Sequence, residues 1–543
     1  MDTLSPRPLE PLSIPTLFDR AATAFADRPA LSFEGRGWTY RQLAALVDRA
    51  AAGLQRLGLK PGDKVGLCLP NTPYFVIFYY AALKAGMVVV NYNPLYVTRE
   101  LRHQIEDSGT TTMIVPDLAL IYDKVAEIET LQRLIVCPVA NVLPFVKGLA
   151  FSILKRNMLA RPAYGARIIP YGKVIASDAR PTPVTIDPSD VAVLQYTGGT
   201  TGRPKGAMLT HANLSINAQQ TTRHMPSMRP GEEKMVGVLP FFHVFAMTSI
   251  LNGGLSKGCE LILHPRFEID AMMRSLVRDK PTIMHAVPTI YNAIATAAEG
   301  NHVDISSLRV CVSGGAPLPA EVRERFQRLT GCRIIEGYGL TEASPAVTSN
   351  PPDGLVRPDS VGIVMQGTVV EIRSLDDINR MLPPGERGEI CVRGPQVMKG
   401  YLNRDQETRD AFIDGALRTG DVGYLDADGY LFVTDRIKDL IICSGYNVYP
   451  RVIEDALYEH PAVAEAIVIG IRDSYRGQAP LAFVTLRAGE VRTGDELRDF
   501  LRDKISPIEL PVRVEIRTSL PKTVIGKLSR KELIEEAVAS SSA

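Results

Sequence analysis

The chain is 543 residues long, 45% hydrophobic and 22% charged, with a formal net charge of +1. That length exceeds what one hydrophobic core supports, so two or more domains are expected. So small a net charge excludes a global pull towards nucleic acid. Seven cysteines lie far apart with no C-x-x-C pair, which favours reduced cytosolic thiols over a disulfide framework or a zinc site. The opening residues Met1-Asp2-Thr3-Leu4-Ser5-Pro6 carry an early acid and prolines where a signal peptide needs an apolar core. The closing Ser-Ser-Ser-Ala is neither a peroxisomal address nor a prenylation box. The longest apolar run, residues 75–83, stops at Lys84, well short of the roughly 18 residues of a membrane span. A soluble, cytoplasmic chain is the expectation.

Leu43, Leu46, Val47, Ala50, Leu54 and Leu57 recur at helical spacing, followed by a Pro61-Gly62-Asp63 turn and a strand at residues 64–69. A helix at 74–85 and a strand at 87–90 come next. Such repeated strand–helix units predict an α/β fold with a largely parallel sheet. Residues 142–159 break the pattern, because Leu143, Phe145, Val146, Leu149, Phe151, Ile153 and Leu154 are interleaved with Lys147, Lys155 and Arg156. Two readings stand level: an interfacial helix with its apolar face in lipid, or an insertion packed on its own domain. One amphipathic segment gives only reversible attachment.

A buried strand at 191–194 leads into Tyr196-Thr197-Gly198-Gly199-Thr200-Thr201-Gly202-Arg203-Pro204-Lys205-Gly206, with a helix start expected around Thr210 and His211. Gly198, Gly199 and Gly202 let the backbone come close to a ligand. Thr197, Thr200, Thr201 and Lys205 offer donors to phosphate oxygens. The kinase and GTPase P-loop needs Gly-Lys-Ser/Thr. Here Lys205 follows proline and precedes glycine, so this is a different cradle.

A strand at 236–239 runs into Pro240-Phe241-Phe242-His243-Val244-Phe245. His243 would ordinarily be a core residue, but its place after a strand, where ligands collect in α/β sheets, makes it a site candidate. Residues 310–315 and 333–341 repeat the logic, ending in Ser313-Gly314-Gly315-Ala316-Pro317 and Glu336-Gly337-Tyr338-Gly339-Leu340-Thr341-Glu342. Three glycine-bearing strand ends predict one shared cleft. In it a tyrosine can stack on a base, glycines admit the adenine and a carboxylate can hold magnesium. Short strands follow at 388–393, 423–426 and 431–434, and Asp421 alone reads as a turn residue. The charged run Asp435-Arg436-Ile437-Lys438-Asp439 marks a boundary between residues 1–435 and a compact α+β unit, 436–543. Strands at 464–469 and 481–486 and a helix at 494–505 are expected there. The tail holds Leu520-Pro521-Lys522-Thr523-Val524-Ile525-Gly526-Lys527, whose last lysine alone reads as solvated.

These segments, from Trp38-Thr39-Tyr40 to Lys531, resemble in order and spacing the motifs of the adenylate-forming enzymes: acyl-CoA synthetases, peptide-synthetase adenylation domains and luciferases. Asn91-Tyr92-Asn93-Pro94-Leu95-Tyr96 and Ser444-Gly445-Tyr446-Asn447-Val448-Tyr449-Pro450 are most similar to bacterial long-chain fatty acid–CoA ligases. The resemblance implies a large N-terminal domain with mixed, largely parallel sheets and a small mobile C-terminal domain. It implies ATP, Mg2+ and coenzyme A, acting on a small-molecule carboxylic acid with no nucleic acid. Thr197, Gly198, Gly199, Thr200, Thr201, Gly202 and Lys205 would hold the ATP phosphates. Gly314, Gly315, Glu336, Gly337, Tyr338 and Gly339 would line the adenine and acyl sites. Thr341 would touch the α-phosphate, Glu342 the magnesium, and Asp421 and Arg436 the ribose. Lys527 resembles the catalytic lysine, Lys438 the hinge, and His243 a residue at the thioester tunnel; Ser444, Gly445 and Tyr446 would face the coenzyme A arm. Ala416, where the family usually shows an aromatic, and Ile508-Glu509, replacing Tyr-Lys, depart from the pattern without removing a catalytic group. An acyl-AMP ligase serving a carrier protein, a ligase for another acid, a luciferase-like oxygenase and a non-catalytic ATP-binding protein remain as alternatives. Peripheral membrane contact and a homo-oligomer stay open.

Overall fold

The computed structural model of this chain describes residues 8–197, 204–301, 303–352, 354–444, 446–473, 476–523 and 526–541. Two large sheets dominate it, each parallel at its centre. In the first, the parallel strands Val88–Asn91, Lys64–Leu67, Thr112–Pro116, Arg133–Cys137 and Ile168–Pro170 follow one another beside Val191–Thr197. In the second, Ile334–Gly339, Val310–Gly314, Ile283–Ala286, Lys234–Gly237, Glu260–Leu263 and Pro29–Phe33 do the same, flanked by antiparallel edges. Their near-continuous Val/Ile/Leu content is what strands covered on both faces require. The α/β expectation holds.

The helix Pro73–Lys84 is buried along every residue from Pro73 to Leu83. A helix apolar all round has to sit inside a core, and this one packs Phe75 on Phe241 of the second sheet's loop at 5.7 Å. Its hydroxyls are satisfied: Asn252 accepts from Tyr80 and donates to Tyr79. Lys84 terminates the buried run and pairs with Asp19 and Asp48. That charge is why the longest apolar stretch ends where it does. Among the described residues no helix is long and apolar enough to cross a membrane.

The helix start expected around Thr210 and His211 is where the helix His211–Arg223 begins, with Thr210 as its cap. Before it, Val191–Thr197 pairs antiparallel with Lys205–Thr210, a strand pair that the local pattern does not announce. The two strands approach so closely that a Cβ on Gly206 would stand 3.1 Å from the Tyr196 ring. Gly198, Gly199, Thr200, Thr201 and Gly202 lie outside the described residues.

A third, antiparallel sheet contains Val369–Arg373, Gly388–Arg393, Ala416–Leu425 and Leu431–Arg436. After it the chain builds a fourth sheet on the long hairpin Val463–Asp473 and Gly477–Leu486, covered by the helices Pro450–Tyr458 and Gly494–Leu501. This last unit has a core of its own around Ile453, Leu457, Val468, Val484 and Leu497. The helix Phe145–Leu154 touches the main core through the half-buried Phe151 and otherwise lies at its surface. Only Gly148 is buried in it, where a Cβ would meet the Ala140 carbonyl at 2.5 Å. Phe145, Val146 and Leu154 are each at least 76% exposed.

The loop carrying His243 is held by Asn71. Its amide donates to the carbonyls of Gly237 and Leu239 and its oxygen accepts from the Phe241 amide, at 2.8–2.9 Å. This buried side chain, just after a strand of the first large sheet, ties that sheet to the loop leaving the second. Removing it strands three buried backbone groups, so Asn71→Ala is expected to lower stability by about 3 kcal/mol. Denaturant unfolding should show a lower midpoint at unchanged m-value.

Candidate functional site

A cavity of about 1020 Å³ lies where the strand ends of both large sheets, the third sheet and the C-terminal unit converge. The hairpin brings Thr197 to it. The strand Val310–Gly314 brings Gly314 and Gly315, and Ile334–Gly339 brings Glu336, Gly337, Tyr338 and Gly339, with Thr341 and Glu342 just beyond. Asp421 and Arg436 come from adjacent strands of the third sheet, Lys438 from the short turn Ile437–Asp439, and Lys527 from the tail. His243 completes the wall. The predicted shared cleft is therefore present.

Three predicted residues stand apart from it. Lys205 does not line the cavity; its ammonium sits 5.1 Å over the Tyr401 ring. Ser444 and Tyr446 flank the tip of the hairpin Ile441–Cys443/Tyr446–Val448, with Tyr446 66% exposed. Gly445 lies outside the described residues.

Lys527 enters the cleft from the C-terminal unit. A Cβ on Gly315 would lie 2.5 Å from its Cε and 2.8 Å from its Nζ, and Gly315 holds φ of +81°. Glycine is required there twice, for the left-handed backbone and for the room. The segment is anchored by the Thr289 hydroxyl, which donates to the Gly526 carbonyl at 2.9 Å. Burial, reinforced by the nearby Arg436 guanidinium and opposed by Asp421, pulls the Lys527 ammonium down to about 8. Arg530 fixes the following residues by donating to Glu454 at 2.6 Å, to the Val468 carbonyl at 3.0 Å and to Asp439 at 3.4 Å.

Asp421 faces two partners: Tyr338 donates its phenol at 2.6 Å and Arg436 approaches through Nε at 3.0 Å. Burial raises the Asp421 carboxyl despite Arg436. Glu336 is pushed by burial to about 7, with Arg451, the Leu318 amide at 3.0 Å and Arg323 opposing. A carboxyl poised near neutrality at the floor of a cleft marks a functional position. Glu342 accepts from the Tyr401 phenol at 2.8 Å. Burial, then the Lys527 charge, holds the His243 imidazole at about 3, so it is neutral. Its Nδ1 accepts from the Phe245 amide at 3.3 Å, which leaves the proton on Nε2. His243 is thus an N–H donor, unsuited to act as a base.

Sequence reasoning missed Tyr401, Thr289, Ser249 and His285. Tyr401 and Thr289 carry no local signal, because only the fold brings them to Glu342 and Lys527. His285 did carry one: a histidine inside the otherwise apolar buried strand Ile283–Ala286 needs a reason. No group of three or more His, Cys, Asp or Glu that could hold a metal ion occurs among the described residues. One carboxylate, Glu342, is what a magnesium ion carried on nucleotide phosphates needs from a protein.

A cleft at parallel strand ends, closed by a lysine borne on a separate small unit and floored by glycines, defines a nucleotide-dependent transferase or ligase site. The comparisons name its family. The AMP-binding enzyme family matches residues 18–402 and the AMP-binding enzyme C-terminal domain residues 452–527, so the chain belongs to the AMP-binding enzymes. Among its relatives is a long-chain-fatty-acid–CoA ligase of Bacillus subtilis (strain 168), 40% identical over 97% of this chain and 95% of the relative. A feruloyl-CoA synthase of Amycolatopsis sp is 35% identical over 93% and 95%. Among solved structures, the ATP-bound MatB from Rhodopseudomonas palustris is similar with a TM-score of 0.83 at 28% identity, covering 97% of this chain and 99% of that one.

Lys527 carries its charge in the cleft only below about pH 8. The specificity constant reports ionisations of the free enzyme, so kcat/KM for ATP is expected to fall as pH rises through about 8 while kcat holds to higher pH. Steady-state profiles at saturating and limiting ATP check this.

Proposed function

We propose that this chain is an AMP-forming fatty acid–CoA ligase that converts a long- or medium-chain acid, ATP and coenzyme A into acyl-CoA, AMP and pyrophosphate. The supporting observation is Lys527 seated against Gly315 beside Asp421 and Arg436, in a chain similar over nearly its whole length to long-chain ligases.

In the first half-reaction a carboxylate oxygen attacks the α-phosphorus of ATP and pyrophosphate leaves. The protein's work is positioning and charge neutralisation. Lys527, a compact cation, meets the carboxylate and α-phosphate oxygens. Asp421 takes the ribose hydroxyls, and Arg436 holds Asp421 in place. Thr341 contacts the α-phosphate. Gly337, Tyr338 and Gly339 admit the adenine. The Thr197–Lys205 hairpin loop cradles the outer phosphates. Glu342, oriented by Tyr401, would hold a magnesium ion, which supplies charge neutralisation for the leaving pyrophosphate.

In the second half-reaction the thiol of coenzyme A displaces AMP. A free thiol ionises near 8.5, and the adenylate is a good leaving group, so little base help is needed. The neutral His243 donates and orients. Lys527 occupies space the thiol has to enter, and rotation of the unit after residue 435 about Lys438 removes it. Ser444 and Tyr446, away from the cavity in this pose, then face the coenzyme A arm together with Gly445. A ligase for another acid is the second reading, favoured by the feruloyl-CoA synthase relative.

Lys527→Ala is expected to cut adenylate formation by about a hundredfold or more while sparing thioester formation from pre-made adenylate. Pyrophosphate exchange and single-turnover thioesterification measure the two halves, and equal losses in both sink the assignment.

The apolar outer face of Phe145–Leu154 supports reversible contact with a lipid surface, its basic edge supplied by the exposed Lys155 and Arg156. Exchanging Phe145 and Ile153 together for Ser is expected to lower partition onto anionic vesicles about tenfold or more. The rate with a water-soluble acid should not change. Co-sedimentation that is indifferent to the exchange removes this contact.

A further inference from the structure

We propose that the cavity contains a hydroxyl-reading subsite built on His285, so that preferred acids carry a hydrogen-bond donor on their hydrocarbon portion. This rests on the reading of the cleft as an acid-activating site and names the acid's chemistry.

His285 lies on the strand Ile283–Ala286, in register with Val312 of the neighbouring strand, and lines the cavity together with Ser249, Phe245 and Ser313. It is 2% exposed. Its ring lies nearly parallel to that of Phe245, with centroids 6.1 Å apart and planes 18° from parallel. The proton inventory fixes its chemistry. The single Ser249 hydroxyl proton goes to the Phe245 carbonyl at 2.7 Å. Ser249 Oγ can then only accept from His285 Nδ1, 3.0 Å away. The proton is therefore on Nδ1 and Nε2 is a bare acceptor. Burial also holds the ring down to about 4, so it stays neutral at physiological pH.

That Nε2 is buried and has no hydrogen-bond partner. A buried imidazole nitrogen with no partner costs free energy and calls for an explanation. Here a serine on the segment Ala246–Asn252, wound as a π-helix, spends its bonding on fixing the tautomer that leaves an acceptor free. Wide π-turns of this kind gather at functional sites. Ser313 Oγ, in the same lining, is also buried and unpaired. An acyl group bearing an alcohol or phenol supplies the missing donor. A plain hydrocarbon leaves the acceptor dry, which is how a polar site rejects an apolar analogue.

The test measures pyrophosphate-exchange kcat/KM for two arms of acids, aliphatic acids hydroxylated at graded positions and hydroxylated arylpropenoic acids, each beside its unsubstituted parent. In the wild-type protein the best hydroxylated acid should exceed its parent about tenfold or more. His285→Phe, similar in volume but lacking the acceptor, should invert that order. Ser249→Ala, which unfixes the tautomer and keeps the ring, should narrow the gap. Parents within about twofold of every hydroxylated partner, or a His285→Phe variant that scales both alike, overturn the subsite and leave the ligase reading intact. Exchange with no acid of either arm removes both.

Discussion

The structure turns on one cation held in the cleft. Lys527 is carried near the end of the chain, yet its half-buried side chain lies against Gly315, in a cleft made by sheets hundreds of residues earlier. Much of the surrounding construction makes that contact possible. Gly315 adopts a left-handed conformation and offers no side chain, Thr289 receives the backbone of Gly526, and Arg530 ties the tail to Asp439 and Glu454. None of these groups neutralises the ammonium directly. Among the described residues the favourable charge acting on it is Asp421, already engaged by Arg436 and Tyr338. The cleft is arranged to receive an anion.

The energetic sign follows. Moving a lysine from its ordinary 10.5 to about 8 means that holding it as a cation in this pose costs on the order of 3 kcal/mol. At neutral pH the closed arrangement carries that cost until phosphate and carboxylate oxygens offset it. On the proposed mechanism, closure would be coupled to the presence of nucleotide and acid, and would weaken once pyrophosphate has left and the carboxylate has become an acyl phosphate anhydride. The same electrostatics would then favour vacating the site for the second half-reaction.

Much of this was legible in the sequence, for identifiable reasons. The parallel strands announce themselves as apolar runs between glycine-rich turns, and ligand sites at their ends follow from fold geometry. Hence Gly314, Gly337 and Glu342 are legible by position and line one cavity, whereas Asp421, on an antiparallel strand, is reached only through the family resemblance. The hairpin after Thr197 was not legible, because Lys205–Thr210 is too short to separate by periodicity from the helix that follows. Lys205 was aimed at the phosphates by its motif, whereas in this pose it rests on the Tyr401 ring. Tyr401 itself could not have been found, since nothing near it in the chain refers to Glu342. Non-local partners are invisible to a reading that proceeds by local pattern.

The helix Phe145–Leu154 and the residue His285 illustrate opposite violations of the rule that apolar groups go inside and polar groups outside. In the first, large apolar side chains are left in solvent on a helix that packs through Gly148 and Phe151 and ties Lys147 to Glu34. In the second, a buried polar atom of a cavity-lining side chain has no partner. Each is costly in isolation: an exposed apolar side chain forgoes roughly 1.5–3 kcal/mol of burial, and an unpaired buried acceptor costs about 1–3 kcal/mol. Folding does not require either arrangement. The helix could present its charges outward, and a phenylalanine would fill the histidine's place. On the two proposals, the compensating partner would be an apolar surface in one case and a hydroxyl donor in the other. A ligase whose acid combines hydrocarbon with a hydroxyl would meet both conditions, gathering its substrate at a lipid surface and recognising it by the one polar group along its length.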